Sequence, residues 1–167
     1  LNHRISCSGF HFEEKPKSRR LNKAKIKDNL TQFQLIALKR GEDIKDEDGN
    51  IKAMNDEYTF EPHPSYSYAY CSDTKFDSNI AAQIKDVSIL YHEATFMDDM
   101  AERAAKTFHS TTKQAGELAK LANVGQLIIG HFSTRYKDLV PMIEETREVF
   151  SNAELAIEGR KFELGEF

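Results

Sequence analysis

The fold of this chain is indicated by residues 87–96, which read VSILYHEATF. Residues 87–92 are mainly apolar and predict a buried strand, and the polar residues His92 and Glu93 come where that strand should end. Open α/β sheets place their chemistry at the carboxyl ends of their strands. The stretch therefore predicts both a strand in the core and a functional site at its end.

Two further predicted strands lead to polar residues in the same way. Residues 66–71 are rich in tyrosine and are followed by Asp73, and the apolar strand at 126–131 ends at His131. The other predicted elements are helices at 78–85, 97–107, 112–123 and 139–150 and short strands at 5–13, 153–157 and 161–164. Strands that alternate with helices predict an α/β sheet.

Residues 14–64 depart from this pattern and predict an insertion. They begin with a basic block, continue with an apolar patch and an acidic turn, and end at Pro62 and Pro64, which favour extended backbone. We expect a small helical and hairpin arm that protrudes from a domain formed by residues 1–13 and 65–167.

The charge distribution suggests that one part of the molecule contacts a polyanion. The formal net charge of the chain is −4. Nine basic residues and one acidic residue lie between Lys15 and Arg40, so this segment carries +8 and the remainder carries −12. A solvated, partly helical surface has the same composition, and charge alone does not separate the two interpretations.

Composition limits the class of protein further. The 167 residues amount to about one domain, and 40% are hydrophobic, which is enough for a core. The apolar runs are too short to cross a bilayer, and since no cationic start is followed by an apolar stretch, we expect no secretory signal. Two cysteines are too few for a disulfide framework, so we expect reduced thiols in a cytoplasmic protein. Leu1 is not a translation start, and we expect further sequence before it.

His3, Asp73 and His131 are candidate metal ligands. Imidazole nitrogen and carboxylate oxygen hold metals that activate water, and these residue types suit two zinc ions bridged by a carboxylate. Three ligands cannot complete two such sites. Other roles also stay open, with Asp73 as a helix N-cap or turn residue and His131 as a hydrogen-bonded core residue.

Glu93 and His109 are a candidate acid–base pair. Glu93 would orient the imidazole, and a protonated histidine held in this way can donate to a departing alkoxide. The alternative is that residues 109–111 (HST) only begin the next helix, with Ser110 or Thr111 as its N-cap. The two roles are compatible.

The motifs around these residues resemble, in order and approximate spacing, the C-terminal half of ribonuclease Z. They are CSDT at 71–74, HEATF at 92–96, HST at 109–111 and GHFSTRY at 130–136. The family comprises tRNA 3′-processing endonucleases of the metallo-β-lactamase superfamily. The early segment NHRI also resembles the family's segment with an isolated histidine ligand. The resemblance covers essentially the whole chain and implies the C-terminal half of an αββα sandwich with an inserted arm.

This resemblance implies a role for each matched residue. His3 and His131 would be terminal zinc ligands, and Asp73 would bridge two zinc ions. Glu93 and His109 would protonate the leaving 3′ oxygen. The arm would bind precursor tRNA through its phosphates, and a homodimer would let one subunit's arm serve the other's site. The RNA-binding candidates are Lys15, Lys17, Arg19, Arg20 and Arg135.

The chain departs from the family pattern in two respects. The HxHxDH motif, which supplies the remaining metal ligands and the aspartate that activates water, would lie before Leu1. We therefore expect this chain alone to bind zinc poorly and to cleave nothing. The arm stretch at 29–35 also lacks the family's Gly-Pro element. The alternatives are a hydrolase of small phosphodiesters or esters and a non-catalytic RNA-binding module.

Overall fold

The computed structural model describes residues 1–26 and 30–164. The parts of the predicted arm that fall on Lys27, Asp28 and Asn29 lie outside the described residues. Within the described part of the chain, no helix is long and apolar enough to cross a membrane.

The chain divides into two compact units. The larger unit consists of Leu1–Glu13 with Tyr66–Phe167, and the smaller unit consists of Glu14–Ser65. Each unit has a hydrophobic core of its own. The two units are therefore described separately.

A five-stranded sheet forms the centre of the larger unit. Its strands, which are also neighbours in this order, are β1 (Phe10–Glu13), β2 (Ser67–Cys71), β3 (Ile89–Glu93), β4 (Gln126–Gly130) and β5 (Ala153–Leu155). β1 runs antiparallel to β2, whereas β2 to β5 run parallel to one another. Because parallel strands end at the same edge of a sheet, the residues that follow β2, β3 and β4 share one edge.

The central strands β3 and β4 are buried over most of their length. Leu90 and Leu127 are fully buried and belong to one hydrophobic cluster with Leu118 of a covering helix. Continuous apolar strands of this kind are typical of parallel sheets covered by helices. This burial explains why the sequence pattern located both strands.

Helices connect the parallel strands. Those described in the larger unit are α1 (Ile80–Gln83), α2 (Ala101–Thr107), α3 (Thr112–Leu121) and α4 (Val140–Val149). α3 begins with a capping box, in which the Thr111 side chain accepts from the Gln114 amide and the Gln114 side chain accepts from the Thr111 amide. This cap fixes the start of α3 close to His109.

Three predicted elements of the larger unit differ from the structure. The strand predicted at 161–164 is wrong, because no described strand pairs with these residues. The strand predicted at 5–13 is confined to β1, where β2 provides a pairing partner. The helix predicted at 78–85 is shortened to α1, since Asp77 accepts a bond from the Asn79 amide and forms a turn there instead.

The smaller unit contains helices and two short sheets, in keeping with a helical and hairpin composition. Its described elements are the helices Gln32–Lys39 and Asn55–Tyr58, the strand pair Arg20–Leu21 with Thr59–Phe60, and the strand pair Ile44–Lys45 with Ile51–Ala53. Leu38, Ile44 and Ala53 form its small buried core. The acidic turn predicted from the sequence joins the strands of the second pair.

The substitution Gly125→Ala is expected to destabilise the larger unit by about 1–3 kcal/mol. A Cβ atom at Gly125 would lie 2.6 Å from the backbone oxygen of Ser88. The backbone is not free to retreat, because the Gly125 amide donates to Val87 and the next amide donates to Ser88 itself. The effect is measured as a lower midpoint of urea unfolding with an unchanged dependence of the free energy on urea concentration. Lys120→Ala is the control at an exposed position, and its free energy of unfolding should lie within about 0.5 kcal/mol of the parent value. Equal midpoints for the two variants would contradict this prediction.

Candidate metal and acid–base site

Three neighbouring strands bring polar side chains to one edge of the sheet. Asp73 follows β2, Glu93 is the last residue of β3, and His131 directly follows β4. The register pairs Glu93 with Gly130, so the ends of β3 and β4 are aligned. His109 joins them from the segment between α2 and α3. Asp73, Glu93, His109 and His131, which we call the edge cluster, each offer one ligand atom within 4.8 Å of the others.

Glu93 is fully buried and is the most heavily hydrogen-bonded member of the edge cluster. Its carboxylate accepts from the backbone amides of Thr74 (2.6 Å) and Ser110 (3.1 Å) and from the Thr95 hydroxyl (2.6 Å). His109 Nδ1 lies 3.0 Å from Oε1 and 3.1 Å from Oε2. A buried carboxylate is tolerated when it is satisfied in this way.

The neighbouring imidazoles are oriented by groups that only accept hydrogen bonds. His109 Nδ1 faces the Glu93 carboxylate, and His3 Nδ1 lies 2.9 Å from the backbone oxygen of Phe108. Each Nδ1 therefore carries the proton, and each Nε2 has its lone pair available for a metal or a further proton. The His3 and His109 rings are adjacent, with centroids 5.2 Å apart.

Thr95 links His131 to Glu93. Its hydroxyl lies 2.6 Å from Glu93 Oε2 and 2.9 Å from His131 Nδ1. The carboxylate takes the single hydroxyl hydrogen, so the Thr95 oxygen accepts from His131 Nδ1. The lone pair of His131 Nε2 is then free and faces Asp73 Oδ1 at 3.1 Å.

The pair formed by Asp73 and His131 fits a metal ion. Asp73 Oδ1 is buried without a hydrogen-bond partner in the described part of the chain, and it faces a second acceptor, His131 Nε2. Two acceptors this close repel each other, and a shared cation would satisfy both. Oriented imidazole together with carboxylate is also the donor set that zinc prefers.

The backbone at this edge adopts an unusual conformation. Asp73 (φ 55°), Phe108 (φ 61°) and His131 (φ 60°) all lie in the left-handed region, which non-glycine residues seldom occupy. Each such residue costs about 1–3 kcal/mol, and strain of this kind tends to persist at functional sites. Asp73 and His131 adopt this conformation shortly after β2 and β4, and their side chains face each other.

The structure bears on the alternatives left open by the sequence. Asp73 caps no described helix, because α1 begins after an N-cap at Asn79. In the HST segment His109 contacts Glu93 and Thr111 caps α3, so the helix cap and the predicted acid–base role are compatible. His131 is partly exposed to solvent and is not a core residue.

Sequence reasoning assigned no role to Thr74 or Thr95 and considered Ser110 only as a possible helix N-cap. The backbone of Thr74 and Ser110 and the side chain of Thr95 hold Glu93, and the Ser110 hydroxyl donates to the Thr74 carbonyl at 2.7 Å. All three lie inside the motifs quoted above. Their placement beside the predicted catalytic residues was the available signal.

Two buried groups near the site take no direct part in it. Burial lowers the pKa of His92, whose Nδ1 donates to the backbone oxygen of Glu93, so this histidine is neutral. Burial raises the pKa of the Cys71 thiol to about 11, which keeps it protonated and unreactive. Neither group supplies a charge to the edge cluster.

The RNA-binding candidates occur in both units. In the smaller unit Arg19 forms ion pairs with Asp56 (2.9 Å) and Glu61 (2.6 Å), and Arg20 donates to the backbone oxygen of Glu61. Lys17 pairs with Glu14 at 2.7 Å, and Lys15 is exposed. In the larger unit the exposed Arg135 lies over the Phe96 ring, 5.3 Å from its centroid. Arg19 is thus already neutralised, whereas Lys15 is open to an anion.

Curated proteins named ribonuclease Z are similar to nearly the whole chain. Ribonuclease Z of Cytophaga hutchinsonii is 50% identical over 162 residues, which is 97% of this chain and 52% of that protein. Ribonuclease Z of Porphyromonas gingivalis is 43% identical over 167 residues, covering 98% of this chain and 54% of that protein. No protein-family model matches the sequence.

The fold of this chain is also similar to that of a solved structure. A metallo-β-lactamase fold protein from Bacillus subtilis matches with a TM-score of 0.55 and 22% identity, over 59% of this chain and 40% of that one. The chain spans about half the length of the curated relatives it matches. The predicted resemblance is confirmed: nearly the whole chain is similar to about half of a ribonuclease Z, and its fold is similar to that of a metallo-β-lactamase fold protein.

Proposed function

We propose that this chain is the C-terminal half of a zinc-dependent endoribonuclease that cleaves precursor tRNA at the 3′ end of the acceptor stem. The edge cluster carries the proposal, because it combines a metal-binding pair with an imidazole held by a buried carboxylate. Similarity to ribonuclease Z over nearly the whole chain supports the RNA substrate. We also propose a cytoplasmic homodimer, on the family resemblance alone.

The metal-holding residues in this proposal are His3, Asp73 and His131. Their available atoms are the two imidazole Nε2 atoms and the Asp73 carboxylate, as the hydrogen bonds to each Nδ1 require. When bound, zinc supplies Lewis-acid stabilisation of charge on the phosphate oxygens. The proposal assigns the remaining ligands to the other half of the complete protein.

His109 acts as the proton donor in this proposal. Its Nδ1 proton is held by Glu93, so the second proton of the imidazolium resides on Nε2 and can pass to the departing 3′ oxygen. Glu93 stabilises the charged ring and fixes its orientation. General acid catalysis of this type contributes about 10²–10⁴-fold to the rate.

The proposal is tested by comparing this chain with the complete protein on precursor tRNA labelled at its 3′ end. We expect the complete protein to release the 3′ trailer, to lose activity to a chelator and to regain it with zinc, while the 167-residue chain alone cleaves nothing. An active, zinc-loaded 167-residue preparation would overturn the expected inactivity. A complete protein that cleaves only small diesters, or that binds tRNA without cutting it, would replace the proposed function by the corresponding alternative.

The basic residues of the smaller unit are expected to act mainly on substrate binding. Replacing Lys15, Lys17, Arg19 and Arg20 together by glutamine should raise the KM for precursor tRNA severalfold more than it lowers kcat, and should flatten the salt dependence of KM. Phosphate contacts release counterions, and each one lost reduces the slope of log KM against log salt by about one. An unchanged KM would exclude this role for the arm.

Separate variants divide this effect among the basic residues. Lys15→Gln should lower RNA affinity without loss of stability, since Lys15 is exposed. Arg19→Gln should instead destabilise the smaller unit, because it leaves Asp56 and Glu61 close together without their shared cation. Comparing Arg19→Gln with Lys15→Gln therefore separates loss of stability from loss of RNA affinity.

A further inference from the structure

A small cavity opens beside the proposed proton donor. Its volume is about 290 Å³, and it is lined by His3, Arg4, Lys106, Thr107, Phe108 and His109. Two of these side chains are permanent cations and none is acidic. The cavity therefore favours an anionic ligand.

Its cations are available for a ligand. Arg4 is exposed and makes no ion pair or side-chain hydrogen bond within the described part of the chain. Lys106 has only a loose, exposed pair with Glu102 at 3.8 Å. Exposed pairs of this kind contribute little, so an incoming phosphate would meet little competition.

A third cation and an aromatic ring extend the same surface. Lys75 Nζ lies 5.5 Å from the centroid of the Phe108 ring, and Phe108 makes an edge contact with His3. The left-handed backbone of Phe108 ends α2 at this point, and the half-buried ring lies beside Lys75. Cations grouped around an aromatic ring are typical of surfaces that bind single-stranded nucleic acid.

We propose that Arg4 and Lys106 bind an RNA phosphate directly adjacent to the scissile phosphate, in the cavity beside His109. This inference rests on the proposed function, since it assigns the neighbouring phosphate of the same substrate. Arg4 and Lys106 hold the strand on the His3 and His109 side of the edge cluster. They contribute to substrate binding and do not themselves transfer a proton.

The test is a double-mutant cycle between protein and RNA in the complete protein. Arg4→Gln, Lys106→Gln and the control Lys120→Gln are each measured on precursor tRNA and on precursors with one neutral methylphosphonate linkage, placed on either side of the scissile phosphate. Lys120 is an exposed lysine in the last turn of α3, outside the cavity lining. Substrate concentration and salt are varied to obtain KM, kcat and the salt slope.

The expected result is a rise in KM of about threefold to tenfold for Arg4→Gln and for Lys106→Gln, with a salt slope lower by about one for each. One of the two methylphosphonate substrates should raise the KM of the parent enzyme but not add to the effect of these variants. Lys120→Gln should behave as the parent on every substrate.

If the parent enzyme cleaves precursor tRNA, two results would refute the phosphate assignment. One is that the effects of the protein variants and of both methylphosphonate substrates on KM are additive. The other is that the variants have the KM and salt slope of Lys120→Gln. A fall in kcat at constant KM would also refute it, because the two residues would then act on the chemical step. Failure of the parent enzyme to cleave any precursor would instead remove the proposed function, and the phosphate subsite with it.

Discussion

Replacing Glu93 by glutamine is expected to lower kcat of the complete protein on precursor tRNA by about 10²–10⁴-fold and to destabilise the larger unit by about 1–3 kcal/mol. The substitution keeps the size of the side chain and removes its charge. Both carboxylate oxygens accept hydrogen bonds, from the Thr74 amide on one side and the Ser110 amide on the other. An amide nitrogen in place of either oxygen would point one donor at another and leave a buried N–H unsatisfied.

The activity and the stability are lost for different reasons. His109 would lose the negative charge that stabilises its imidazolium form, which lowers kcat. The unsatisfied backbone amide lowers the free energy of unfolding whether or not the protein is an enzyme. Urea unfolding and steady-state kinetics therefore give independent readouts, with Glu117→Gln on the exposed side of α3 as the isosteric control. A Glu93→Gln protein with the stability and kcat of the parent would mean that the carboxylate has neither role.

The strands that carry the site were predictable because they are buried on both faces. Residues 89–91 of β3 and 127–129 of β4 form short apolar runs, and such runs stand out in a sequence with 30% charged residues. The polar residues that follow them were therefore recognisable as strand ends. Sequence pattern placed Glu93 and His131 at one edge for this reason, whereas Asp73 was located by the partly buried, tyrosine-rich strand before it.

The connections within the site were not predictable from pattern. The bridge from Glu93 through Thr95 to His131 depends on the register of β3 with β4, which pairs Glu93 with Gly130. The left-handed backbone of Asp73 was also not predictable, because a positive φ angle is normally predicted from a glycine in the sequence and this position holds an aspartate. These features arise from the packing of segments far apart in the chain, and a linear motif records only the residues that take part.

The edges of the fold were misjudged for a related reason. Residues 161–164 have the composition of a short strand, yet strand formation requires a neighbour to satisfy the backbone groups. The helix predicted at 78–85 loses its first residues to the Asp77 turn, in which a side chain competes with the backbone for one amide. Local composition does not decide such competitions.

Asp73→Asn is expected to weaken zinc binding by the complete protein at least about 100-fold, since even residues behind the ligands change metal affinity by about 10–100-fold. The substitution removes one negative charge and halves the acceptor capacity of the side chain. It keeps the backbone, because asparagine tolerates the left-handed conformation that Asp73 adopts. Zinc affinity is measured by calorimetry in competition with a chelator.

Although Asp73→Asn should weaken zinc binding, it should not lower the stability of the metal-free protein. Asp73 Oδ1 has no hydrogen-bond partner within the described residues, and it faces the free lone pair of His131 Nε2. An asparagine amide can donate to that nitrogen, so the metal-free variant should be as stable as the parent or more so. A carboxylate that lowers the stability of the metal-free protein is consistent with a metal ligand, because functional residues can be kept at a cost in stability.

The two measurements together separate a metal ligand from a structural turn residue. A ligand predicts weaker zinc binding with unchanged or higher stability of the metal-free protein. A turn aspartate predicts the reverse. The free energy of unfolding, measured in the presence of a chelator, would fall by about 1 kcal/mol or more, and the zinc affinity would stay close to that of the parent. Asp86→Asn is the matched control, because Asp86 also has a positive φ angle (58°) but accepts its hydrogen bond from Asn123, and it is not part of the edge cluster. Since Asp86→Asn should leave zinc affinity unchanged, a similar loss in both variants would show that the effect of Asp73→Asn is not specific to the metal site.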